Sequence, residues 1–170
     1  MKKILIFGNS GSGKSTLSKK YSDAKNLAHL DLDTIAWLPS TPPQRKPLAD
    51  SKIEIDTFIS THKGWVIEGC YTDLLELASP SATDIVFMNL PIEDCIDNAK
   101  RRPWEPHKYP SKAAQDANLN MLVEWISQYT NRSDGFSQSA HQGLFETFSK
   151  SKFMISNNSE ASAWLNAQLL

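Results

Sequence analysis

Eight residues near the amino terminus, Gly8-Asn9-Ser10-Gly11-Ser12-Gly13-Lys14-Ser15, match the spacing G-x-x-x-x-G-K-[ST] in full, and Thr16 follows directly. Glycines open backbone angles closed to other residues, so successive N–H groups can turn inward on a phosphate. The ammonium of Lys14 can reach the outer phosphates of a triphosphate, and the Ser15 hydroxyl can ligate Mg2+. A helix that begins near Lys14 adds the positive end of its dipole. Gly8 through Thr16 are therefore expected to bind a nucleoside triphosphate. Asn-Lys-x-Asp, the guanine-reading sequence of GTPases, does not occur, so ATP with Mg2+ is the expected ligand.

A phosphate cradle does not define a reaction. Transfer of a phosphoryl group also needs an acceptor pocket, a carboxylate near the transferred group and cations that can cover it. Asp31 and Asp33 lie in HLDLDTIAW at the end of an apolar run. Residues two apart on a strand share a face, so both carboxylates can meet one site. Asp33 lies further toward the following loop and is the stronger candidate to orient an acceptor hydroxyl. Glu68, in WVIEGCY, ends another apolar run and is placed to act on Mg2+. Gly69 after it allows close approach of an acceptor. Arg101 and Arg102 precede the proline-broken segment PWEPHKYP. Their guanidinium groups can close over a triphosphate and neutralise charge that develops in transfer. Arg132 can approach the same segment from the far side.

Each of these has a plainer reading. Strand-end carboxylates can be solvated turn residues, and arginines at helix ends can serve the helix dipole. Trp104, His107 and Tyr109 read as loop residues packing on the surface, with packing of a closed lid or contact with a substrate as the functional alternative. His141 aligns with Leu144, Phe145 and Phe148 on one helical face and reads as a packing histidine. His29 and His62 suggest no constellation.

Alternation of apolar runs with helical patterns positions these residues and is the signature of a parallel α/β sheet. Ile4–Phe7 reads as a strand covered on both faces, followed by a helix from Lys14 to about Tyr21. Further strands are expected at Leu27–Leu32, Trp65–Ile67, Asp84–Asn89 and Lys152–Ser156. Ser51 and Glu54 have the spacing of a capping box, before a helix with Ile55, Phe58, Ile59 and His62 on one face and Gly64 at its stop. Pro91, Glu93 and Asp94 suit the first turn of another helix, with Lys100, Arg101 and Arg102 at its end. Leu119, Leu122, Val123 and Ile126 make a further helical stripe, and Gln138–Phe148 and the carboxyl terminus suit two more helices.

The 170 residues suit a single domain. The 18 Lys and Arg against 19 Asp and Glu give a net charge of −1, a balance that speaks against nucleic acid as a partner. No stretch approaches the roughly 18 apolar residues of a membrane span. The run Ile4–Phe7 is too short for a signal-peptide core. Two cysteines, Cys70 and Cys95, fit buried thiols in a reducing compartment. The expected location is the cytoplasm.

Taken in order, GNSGSGKST, LDTIAW, WVIEGCY and the arginine-rich lid resemble the small nucleoside-monophosphate-kinase-like P-loop proteins. The nearest resemblance is to the group described as DNA topology modulation or adenylate-kinase-related proteins, and shikimate kinase is similar at a greater distance. The resemblance implies a P-loop NTPase fold: a five-stranded parallel sheet in the order 2-3-1-4-5, flanked by helices. It makes residues 39–62 the acceptor-binding segment and residues 101–110 the lid. Asp31-Leu32-Asp33 is similar to the Asp-x-Asp of shikimate kinase, whose second acid binds the acceptor. Arg102-Pro103 is similar to its Arg-Pro lid motif. Its triple glycine is not matched, since Glu68-Gly69-Cys70 stands there. Asn157 and Asn158 occupy the place where adenylate kinases contact adenine. The implied activity is transfer of the γ-phosphoryl of Mg-ATP to a small-molecule or nucleotide acceptor. Two alternatives stay open: an ATP-binding regulatory or nucleic-acid-associated protein, and a slow ATPase with water as acceptor. The sequence fixes neither the acceptor nor the oligomeric state.

Overall fold

Five apolar runs become five parallel strands, the central three buried on both faces and the two edge strands only partly covered. A computed structural model describes residues Met1–Leu170. The strands are β1 (Lys3–Gly8), β2 (Ala28–Asp31), β3 (Trp65–Gly69), β4 (Asp84–Met88) and β5 (Ser151–Ile155). They form one sheet in the order β2-β3-β1-β4-β5, parallel throughout. Seven helices connect and flank them: α1 (Lys14–Lys25), α2 (Leu48–Thr61), α3 (Thr72–Ala78), α4 (Ile92–Lys100), α5 (Lys112–Ser127), α6 (Gln138–Thr147) and α7 (Asn158–Leu169).

Successive strand residues point to opposite faces, and this divides the core in two. Leu5, Phe7, Ile67, Ile85 and Phe87 pack against Ile55 of α2, Leu74 and Leu75 of α3, and Leu144 of α6. Ile4, Ile6, Val66, Val86 and Met88 pack against Leu17 and Tyr21 of α1, Cys95 of α4, Ile126 of α5 and Trp164 of α7. Burial of each large side chain contributes about 1.5–3 kcal/mol. No helix is long and apolar enough to cross a membrane.

The helix boundaries depart from the sequence signals in instructive ways. α1 continues past Tyr21 to Lys25, and Asn26 stops it at a φ of 51°, giving its N–H to the carbonyls of Ser22 and Asp23. Ser51 and Glu54 do not form a capping box, because α2 begins a turn earlier at Leu48 behind Pro47. Ser51 instead lies buried inside the helix and donates its hydroxyl to the Ile35 carbonyl. β3 runs two residues further than the apolar triplet, because Glu68 and Gly69 still pair with Ile6 and Phe7 of β1. The short helix α3 was not expected. It turns the chain straight from β3 back across the sheet, burying Leu74, Leu75 and Ala78.

Phe87 is fully buried and stacks on Phe7 at a ring-centroid distance of 5.2 Å. Phe87→Ala is expected to lower unfolding free energy by about 3–5 kcal/mol, read as a lower urea midpoint at unchanged slope.

Candidate active site

The chain leaves β1 at Gly8 and loops through Asn9–Gly13 into α1. Two left-handed residues make that loop possible: Gly11 at φ 77° and Gly13 at φ 86°. A Cβ on Gly11 would also lie 2.3 Å from the Cys95 carbonyl oxygen, so the loop presses directly on α4. Gly13 caps α1 without a side chain, which leaves first-turn N–H groups for a ligand or water. The Lys14 ammonium bonds back to the Asn9 carbonyl at 3.3 Å, and the Asn9 side chain donates to the Ile126 carbonyl at 3.2 Å. These two bonds brace the loop.

Ser10 through Thr16 line a cleft of about 580 Å³. Gly8 and Asn9 lie beneath it, buried, and shape the loop rather than line the cleft. Arg101 and Arg102 line the same cleft from the end of α4. Asn98 joins this wall to the loop, donating to the Gly11 carbonyl at 2.9 Å and exchanging amide bonds with Asn158 at 3.0 and 3.1 Å. Asn158 faces the cleft. Asn157 instead caps α7, accepting from the Glu160 N–H at 2.8 Å.

Asp33 reaches the cleft from the opposite side of the sequence pattern, on a single 3-10 turn, Leu32–Thr34, that follows β2. Asp31 makes this turn by accepting the Asp33 N–H at 2.9 Å. The Tyr71 hydroxyl donates to Asp33 Oδ1 at 2.5 Å, and Trp37 Nε1 donates to the Tyr71 oxygen at 2.8 Å. Lys108 Nζ lies 3.4 Å from Asp33 Oδ2. Enclosure by protein pushes the Asp33 carboxyl up. The Tyr71 hydrogen bond and the charges of Lys14 and Lys108 outweigh it and hold the group below its ordinary value. Asp33 is thus a carboxylate at neutral pH. Asp31 behaves oppositely, pushed up to about 6 by burial first and then by the charges of Glu68 and Asp33.

Lys108 and Glu105 were not foreseen in the site, whereas Tyr109 was a candidate lid or substrate contact, and all three line the cleft. Partial burial pulls the Lys108 ammonium down, but Asp33, Glu105 and Asp31 more than offset it and hold it above its ordinary value. Glu105 lies 3.5 Å from Arg102 and 4.0 Å from Lys108. Gln115 of α5 ties this segment down, accepting the Glu105 N–H at 2.8 Å and donating to the Pro103 carbonyl at 3.1 Å. Trp104 is half exposed and donates to the Tyr109 carbonyl at 3.1 Å.

Two expected residues do not reach the cleft. Glu68 lies within β3 opposite Asp31 and Ile6, not at a free strand end. It shares a face with Val66, toward α1. Its carboxylate is sealed, both oxygens lack a hydrogen-bond donor, and the nearest cationic candidate is His29 Nε2 at 3.8 Å. Arg132 stacks its guanidinium 3.4 Å from the Trp125 ring centroid and donates to Gln128 at 3.2 Å, with Asp134 at 4.0 Å. Indole stacking and a neighbouring acid hold it against Trp125 of α5, outside the cleft.

His141 does more than pack. It is fully buried, and its Nε2 donates to the Cys70 carbonyl at 2.8 Å while its Nδ1 faces the Tyr129 hydroxyl at 2.6 Å. A carbonyl only accepts, so Nε2 carries the proton and Nδ1 accepts from Tyr129. Burial, first of all, pushes the imidazole down to about 4 and keeps it neutral. The chain from β3 to Tyr71 is thereby fixed from behind. Burial likewise pushes the Cys70 thiol up to about 12 and the Cys95 thiol up to about 11, so neither is a thiolate.

No protein-family model matches the sequence, and no curated protein matches it. Solved structures do match the fold over nearly its whole length. A sugar kinase from Janibacter sp. HTCC2649, unliganded, is 11% identical at a TM-score of 0.56, over 99% of this chain and 92% of that one. Shikimate kinase from Acinetobacter baumannii, in complex with shikimate, is 13% identical at a TM-score of 0.54, over 99% and 91%. Shikimate kinase from Bacteroides thetaiotaomicron is 12% identical at a TM-score of 0.53, over 98% and 96%. With the strand order and the loop above, these likenesses establish the fold as that of the P-loop kinases, an α/β P-loop NTPase fold.

Tyr71→Phe removes the hydrogen bond that lowers the Asp33 carboxyl. The Asp33 pKa is therefore expected to rise in the variant, read by carbon-detected NMR titration of the carboxyl. An unchanged value would show that Tyr71 does not set the charge of Asp33.

Proposed function

We propose that this chain is an ATP-dependent phosphotransferase, a single-domain kinase of the nucleoside-monophosphate-kinase-like class, acting on a small hydroxylated acceptor. One observation carries the reading: Lys14, with the phosphate-binding loop, and an ionised Asp33 line one cleft, together with Arg101 and Arg102. A triphosphate laid on the loop would meet Lys14 at its outer phosphates. An acceptor hydroxyl at Asp33 would give its proton to the carboxylate as its oxygen attacks the γ-phosphorus. The bond to the β-phosphate oxygen breaks, and ADP leaves. Arg101 and Arg102 neutralise the charge that spreads over the transferred group.

The residues also fit Mg2+. No cluster of three or more His, Cys, Asp or Glu side chains is arranged to hold a metal alone, and an ion shared with phosphates needs only one or two protein ligands. Ser15, which lines the cleft beside Lys14, would hold it through its hydroxyl, whereas Glu68 is sealed outside the cleft. When bound, the ion would supply neutralisation of phosphate charge.

The motif order supports a place near the DNA topology modulation group. The two free thiols fit a cytoplasmic setting.

Lys14→Ala is expected to slow ADP formation by about 10²–10³ while leaving the melting temperature nearly unchanged. Turnover unaffected by this substitution would remove the phosphate site from the loop and the reading with it.

A further inference from the structure

Charge divides the cleft into two unlike ends. At the loop end Lys14, Lys20, Arg101 and Arg102 face the space for the triphosphate. At the acceptor end Asp33 and Glu105 stand against the single ammonium of Lys108. Behind Asp33 lie two more carboxylates, Asp31 and Glu68, side by side on β2 and β3. Burial is the main cause of the rise of Asp31, and the charges of Glu68 and Asp33 add to it.

Neither segment 39–62 nor Lys108 offers an unpaired cation to hold an anion at this end. Segment 39–62 contains Arg45, Lys46 and Lys52, and all three are paired. Arg45 makes two bonds to Asp73, at 3.0 and 3.3 Å, and a third from Nε to the Ala36 carbonyl at 3.2 Å. Its guanidinium carbon lies 4.9 Å from the Tyr71 ring, 5.7 Å from Phe136 and 5.9 Å from Trp37. Arg45 is a strut inside an aromatic cage, spent on structure. Lys46 pairs with Glu54, and Lys52 with Asp56. Lys108 is shared between Asp33 and Glu105, and drawing it away would break the ion pair of Asp33 in a partly enclosed site, while Glu105 would keep Arg102 at 3.5 Å.

We infer that the acceptor is an uncharged, polyhydroxylated small molecule, and that the acceptor end rejects nucleoside monophosphates and hydroxy acids by charge. The inference rests on the phosphotransferase reading and narrows it. A neutral polyol needs what this end offers: carboxylate acceptors at Asp33 and Glu105 and an ammonium donor at Lys108. An anionic acceptor would meet like charges at Asp33 and Glu105, with the adjacent cations Lys108 and Arg102 already engaged by those carboxylates, a repulsive means of discrimination.

The test measures ADP formation by the full-length protein with Mg-ATP and three panels of acceptors at equal concentration. They are neutral hexoses, hexitols and cyclitols; nucleoside monophosphates; and hydroxy acids, shikimate among them. A neutral compound is expected to raise the rate about tenfold or more over basal, with no anionic compound doing so, and with a KM for the acceptor insensitive to added salt. Comparable stimulation by any anionic compound overturns the inference and leaves the phosphotransferase standing. If no panel stimulates while ATP still binds, the phosphotransferase reading falls and the inference falls with it.

Discussion

The hydrogen bond from Tyr71 to Asp33 joins the two halves of the candidate site. Asp33 sits on a one-turn extension of β2, and Tyr71 on the exit from β3. Neither residue is rigid by its own local structure. Asp31 fixes the Asp33 backbone, Trp37 donates to the Tyr71 oxygen, and His141 pins the Cys70 carbonyl behind it. A carboxylate held by so many fixed donors keeps its charge and its place without rearrangement, which is the condition for preorganised electrostatics.

The loop end depends on a different constraint. Gly11 and Gly13 take backbone angles that side chains oppose, and Gly11 touches the Cys95 carbonyl so closely that no Cβ fits. The strand before and the helix after are anchored in the second core cluster through Ile4, Ile6 and Leu17. Packing of the sheet on α1 therefore holds a loop that would not keep this shape alone. The two ends then differ in sign, with Lys14, Lys20, Arg101 and Arg102 at the loop and Asp33 and Glu105 opposite, within one continuous cleft.

Features that depend on neighbours along the chain were legible in the sequence. The loop spacing, the apolar strands and the placement of Asp33 just beyond β2 all follow from local pattern. So did the sheet order, through its resemblance to known P-loop kinases. Features made by distant segments were not. Lys108 meets Asp33 across 75 positions of sequence, and His141 meets Cys70 across 71. Nothing local marks Arg45 as partner to Asp73 or as the occupant of an aromatic cage. Arg132 was misread for the same reason, since its chain position suggests the lid while Trp125 and Asp134 hold it elsewhere. Glu68 was placed correctly on β3, but the extra pairing that buries it needed both neighbouring strands.

Division of labour between the two ends is tested most directly by Asp33→Asn, with ATP affinity and phosphoryl transfer measured on the same preparation. The expected result is an ATP dissociation constant within about twofold of the parent, because the triphosphate rests on the loop, and a turnover lower by about 10²–10⁴. Loss of ATP binding in step with turnover would contradict it, and so would turnover that survives intact.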